Sequence, residues 1–165
     1  MRVLPFAILA LAALVLQVAV APHLALTSAR YQPQLPVILM VFISLYARSD
    51  PALLGSWTLG LLVDLASVGP LGGFAFSYAL CSLGILAVRS SLFRGHPMSH
   101  FILTFASATF AEILVLVRLL LPDRVQPHAL LLAPLAIGLY TALLAPYAML
   151  LLNLFRRSLR FPERG

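Results

Sequence analysis

Six stretches of the chain are apolar almost from end to end, and short polar or proline-containing segments separate them. They cover residues 3–21, 35–47, 52–68, 71–88, 101–121 and 129–155, and by length they predict membrane-spanning helices. The second is the shortest, at about 13 residues or about 20 Å. It reaches bilayer length only if tilted neighbours or the 31–34 approach complete it. Pro134 and Pro146 lie inside the last run and are expected to bend it. A membrane helix tolerates such prolines where neighbours or water satisfy the freed carbonyls. The first run follows Arg2 and precedes Thr27-Ser28-Ala29, as a cleaved signal peptide would. It exceeds the usual apolar core of about 7–15 residues, so it is expected to be retained.

Composition turns these runs into a fold class. Hydrophobic residues make up 62% of the 165 and charged residues 10%, against roughly 45–50% and 25% in soluble domains. A chain this small cannot bury so much apolar surface in one core. The surplus must face lipid, which predicts an all-α membrane protein, a compact bundle of about six transmembrane helices in a single polytopic domain. A basic tail follows over 156–165.

The net charge of +6 comes from eleven arginines and no lysine. In a soluble chain it would suggest nucleic acid. Here the arginines sit between or beyond the apolar runs, so the balance speaks of topology and not of a nucleic-acid partner. With six spans, Arg2, Arg48, Arg89, Arg94, Arg156, Arg157, Arg160 and Arg164 share one side. Arg30 and Arg124 lie opposite, with Arg118 approaching them from within a span. Eight against three places both termini in the cytoplasm. The tail can also dock on anionic membrane lipid, gaining about 1 kcal/mol per arginine. No loop leaves room for a soluble domain.

Three ionisable residues lie inside spans: Asp64, Glu112 and Arg118. Each costs at least about 2.5–3.5 kcal/mol at mid-helix, so each asks for a reason. Asp64 ends a stripe of small residues, Ala52, Ser56 and Gly60, at every fourth position, and Glu112 ends a similar one, Thr104 and Ala108. Small residues at this spacing let helices approach closely, so both acids are expected to face the bundle interior. Glu112 and Arg118 are too far apart around their helix to pair. An inter-helix Asp64–Arg118 pair is the expectation, with a proton or cation path through the two acids as the rival.

The remaining polar features carry less. Residues 67–73 hold three glycines and a proline and predict a tight turn. His96 and His100 have metal-ligand spacing, but Pro97 between them and the want of a third ligand favour a solvated loop. Cys81, in line with Gly73 and Ser77, reads as packing. No nucleophile has a base beside it, so neither an enzyme nor a cofactor or metal is expected.

The third and fourth spans are more specific. Gly60, Asp64, Leu65, the turn Leu71-Gly72 and the exit Arg89…Phe93-Arg94 resemble the pattern of the MreD family of rod shape-determining membrane proteins. Gln17 near the end of the first span, Pro33 and Pro36 at the entry to the second, and Glu112 in the fifth also fit. The likeness covers nearly the whole chain and is most specific over 60–72. It implies a non-enzymatic component of the elongation machinery that builds the lateral wall of rod-shaped bacteria, in the inner membrane. Its implied direct partner is MreC-like, a single-span protein with a periplasmic domain; MreB, RodA and a class B penicillin-binding transpeptidase are indirect ones. Ser56, Gly60, Asp64, Leu71, Gly72, Glu112 and Arg118 are the candidates for helix packing or partner binding. The family is also similar in fold to the substrate-binding subunits of vitamin uptake transporters, which supplies the alternative function. Such subunits offer an Ala-x-x-x-Ala face on the first helix. Here Ala21 and Ala25 straddle Pro22, and Trp57, Tyr78 and Tyr140 would be the pocket candidates. A flippase or pore would need a richer polar inventory.

Overall fold

In a computed structural model of the chain, residues 3–24, 32–67, 71–90, 96–120 and 132–159 are described. They form six helices, and no strand occurs among them: α1 (Val3–Ala19), α2 (Leu35–Tyr46), α3 (Ser49–Ala66), α4 (Gly73–Val88), α5 (Pro97–Leu120) and α6 (Leu132–Leu159). The boundaries follow proline and glycine chemistry. Pro36, Pro51, Pro97 and Pro134 all fall in the first turn of a helix, where a missing N–H is no loss. Of the two prolines expected to bend the last helix, Pro146 lies in the interior of α6, whereas Pro134 merely helps to start it. Helix α3 begins at Ser49, ahead of the apolar run, and α6 continues through Arg156 and Arg157 to Leu159. The first part of the expected tail is therefore helical, and 160–165 lie outside the described residues.

The short helix is the centre of the molecule. Every residue of α2 from Pro36 to Leu45 is buried, and α2 packs against all five other helices. A helix walled by protein on every side needs no polar stripe, which is why its sequence is apolar all round. At 12 residues it rises about 18 Å, so its two ends stop well inside the span of its neighbours. Polar side chains from those neighbours meet it there.

Contacts between helix ends place successive helices in alternating directions. The end of α1 meets the start of α2 through Gln17 and Leu35, and the end of α3 meets the start of α4 through Asp64. At the opposite end Tyr46 of α2 lies by His100 near the start of α5. Helices α5 and α6 contain apolar stretches of 21 and 23 residues, long enough to cross a membrane, only 28% and 33% buried within the protein. Leu139, Leu143, Leu150 and Leu154 of α6 and Leu11 and Val18 of α1 remain exposed.

Candidate functional site

Helices α3 and α4 approach backbone to backbone, and Gly60 makes it possible. A Cβ at Gly60 would lie 2.5 Å from both the Ala75 Cα and the Phe74 carbonyl oxygen. Those atoms are backbone and cannot swing aside, so the position accepts no side chain. One turn further along α3, Asp64 is 2% exposed. Its Oδ1 accepts the Phe74 N–H at 3.0 Å, and its Oδ2 accepts those of Gly72 at 3.0 Å and Ala75 at 2.9 Å. These are orphan donors at the first turn of α4, and the helix dipole there favours a negative charge. Gly72 has φ 94°, in the left-handed region that favours glycine, and turns the chain so that its own N–H reaches the carboxylate. An acid that costs several kcal/mol alone thus becomes a cap supplied by the neighbouring helix. This arrangement accounts for Asp64 without a cation. The side chain of Arg118, its expected partner, lies outside the described residues.

Ser56, on the same face of α3, is fully buried and donates to the Ala52 carbonyl at 2.8 Å. It lies 3.5 Å from Ser44 of α2, which in turn donates to Ser82 of α4 at 2.9 Å. Three small hydroxyls thus mark where α2, α3 and α4 meet. Leu71 is exposed at the turn, and residues 68–70 of that turn lie outside the described residues.

The ends of α2 are held in two different ways. At its C-terminus Arg89, counted above among the topology-setting arginines, is only 7% exposed. Its guanidinium donates to the Ala47 carbonyl at 2.7 Å, the Ser44 carbonyl at 3.2 Å and the Ser49 hydroxyl at 3.0 Å. A cation at a helix C-terminus satisfies its last carbonyls and complements the dipole. At the N-terminus the backbone N–H groups are met by an amide and a hydroxyl. Gln17 of α1 accepts the Leu35 N–H at 2.8 Å, and Thr141 of α6 accepts the Gln34 N–H at 3.0 Å. The Gln34 side-chain amide donates to Glu112 of α5. Four elements therefore converge on one amide-rich cluster.

The other small-residue stripe packs as its spacing suggests, with Thr104 and Ala108 fully buried on α5. Helix α6 comes so close to α5 that a Cβ at Gly138 would collide with the Thr109 hydroxyl. Cys81 is buried on α4 with its thiol 3.7 Å from the Ser107 carbonyl oxygen. His96 and His100 are not a pair: His96 is exposed and accepts from the Met98 N–H, whereas His100 is buried beside Tyr46. Among the described residues no group of three or more His, Cys, Asp or Glu is placed to hold a metal.

A family model described as rod shape-determining protein MreD matches residues 1–155. The chain belongs to the MreD family. No curated protein and no solved structure matches it. Membership makes it a rod shape-determining membrane protein, consistent with the apolar stretches of α5 and α6. In this MreD-family chain the site residues fall into two groups: Ser56, Gly60, Asp64 and Gly72 gather at the α3–α4 junction, and Glu112 stands apart at the head of α2. Sequence reasoning passed over Gln34 and Thr141 as partners of Glu112 and α2, since single polar residues at a loop end or in a helix carry no periodic signal. It counted Arg89 without its burial. The adjacent free acceptors at the end of α2 become visible only once α2 and α4 are side by side.

Proposed function

We propose that the chain is a non-enzymatic, multi-pass component of the bacterial inner membrane within the cell-elongation machinery. In this reading it binds an MreC-like single-span protein and supports lateral peptidoglycan synthesis, with MreB, RodA and a class B penicillin-binding transpeptidase as indirect partners. Membership of the MreD family carries the proposal. The use of polar side chains supports it: Asp64, Arg89, Gln17 and Thr141 hold the backbone ends of neighbouring helices.

The topology we propose has both termini in the cytoplasm. Arg48 and Arg89 flank the same end of the bundle as Tyr46 and His100, while Asp64, Glu112 and Gln34 lie in the outer half. A scaffold of this kind works through its shape. Buried caps and close helix contacts fix the bundle, and an apolar outer face then holds the partner's single helix.

Co-purification in mild detergent from the native host, with mass spectrometry of what is retained, tests this reading. A single-span protein with a periplasmic domain should be recovered, and less of it with a bulky residue at Gly60. Recovery of ATPase and membrane-coupling subunits in its place would overturn the scaffold and favour the vitamin-uptake alternative.

A further inference from the structure

Beside the head of α2 the bundle is not closed. A cavity of about 340 Å³ lies between α1, the start of α2, the end of α3 and the start of α4. Its walls are apolar on the sides of α1, α3 and α4, as at Leu14 and Val63, and polar at Gln17, Gln32, Gln34, Ser67 and Tyr78. That volume falls at the lower end of the roughly 300–1,000 Å³ of small-molecule sites. It is about twice the size of a cavity that holds one benzene.

Two polar groups mark this place. Tyr78 is 1% exposed and lines the cavity, which puts its hydroxyl within reach of whatever fills the space. The Phe74 ring meets the Tyr78 ring edge-on at 6.0 Å. The Oε1 atom of Gln34, another lining residue, is buried and without a partner among the described residues. Buried amide oxygens are almost always satisfied, and an unmet one costs about 1–3 kcal/mol. The lining contains no Asp, Glu, Lys, Arg or His. A charged occupant would find no ionisable side chain on the walls to pair with, and the two acids behind them already have partners, Glu112 in Gln34 and Asp64 in the α4 backbone, so it is disfavoured.

We propose that this cavity binds a small neutral amphiphile, an uncharged molecule with an apolar body and a hydroxyl- or amide-bearing end placed by Tyr78 and Gln34. The site is independent of the scaffold reading. Its position gives it a consequence. Gln17, Leu14 and Val18 belong to α1, whose hold on the head of α2 is the Gln17–Leu35 bond. An occupant filling the space between α1 and the α3–α4 junction ties α1 to the bundle. The same chemistry can come from the bilayer, as a neutral lipid, or from the aqueous side, as a soluble metabolite.

Photolabelling of the full chain in mild detergent with azi-octanol, a photoreactive neutral alcohol, tests the site. Adducts should concentrate on Leu14, Val63 and Phe74 and be competed away by octanol. Tyr78→Phe should weaken labelling about fivefold, the loss of one hydrogen bond. Ala66→Phe, which puts a ring into the cavity from its rim, should abolish it. Adducts spread over exposed residues such as Leu143 and Leu150, uncompeted by octanol, would overturn the proposal whether or not the variants fold. So would saturable labelling untouched by both substitutions. Solvent extraction of the protein purified from its host then assigns the source: a neutral lipid in the organic layer or a metabolite in the aqueous one.

Discussion

Asp64 and Glu112 look alike in sequence and differ in the structure. Each ends a stripe of small residues on an apolar helix. Asp64 meets the start of another helix, and three backbone N–H groups take up both of its oxygens. Glu112 meets a side-chain amide, Gln34, beside an open cavity. The first arrangement is saturated and rigid, because backbone donors cannot move without unwinding α4. The second is made of rotatable side chains with a polar atom still unmet among the described residues. An acid inside an apolar bundle is therefore a lock or an adjustable element according to what the neighbouring helix presents to it.

The contrast can be broken in a graded series, each variant read by thermal unfolding in detergent. Gly60→Leu is the most severe: its side chain would overlap the α4 backbone, and a loss of more than about 4 kcal/mol should leave no folded bundle. Asp64→Asn keeps the size but turns an amide N–H₂ toward backbone donors, for a loss of about 3 kcal/mol. Arg89→Met strips the donors from the end of α2. Under-satisfied carbonyls are tolerated better than orphaned N–H groups, so about 2 kcal/mol is expected. Glu112→Gln still offers an oxygen to Gln34 and should change stability by no more than about 1 kcal/mol. A Glu112 variant that collapses like Gly60→Leu would show that the head of α2 is as rigid as the α3–α4 junction.

Much of the architecture was legible from run length alone. Six apolar runs became six helices, with ends moved by a few residues where proline started a helix early or arginine continued one. The spacing of Ala52, Ser56, Gly60 and Asp64 put them on one face, and all four are buried. The spacing did not carry the partner of Asp64, because a backbone N–H has no sequence identity. Helix α2 hid its role for a related reason. A short run that is apolar all round reads the same whether it crosses a bilayer thinly or is enclosed by protein, and only the tertiary packing decides. Arg89 stood at the end of an apolar run as a topology arginine does, with nothing in the sequence to mark it as a cap.

The most direct test compares Asp64→Asn with Glu112→Gln in the same detergent, following Tm together with amide hydrogen exchange at the start of α4. The account predicts a large drop in Tm and loss of protection at Phe74 and Ala75 for Asp64→Asn, with Glu112→Gln close to wild type in both. Equal destabilisation by the two substitutions, or full protection of Phe74 and Ala75 without the Asp64 carboxylate, would contradict it.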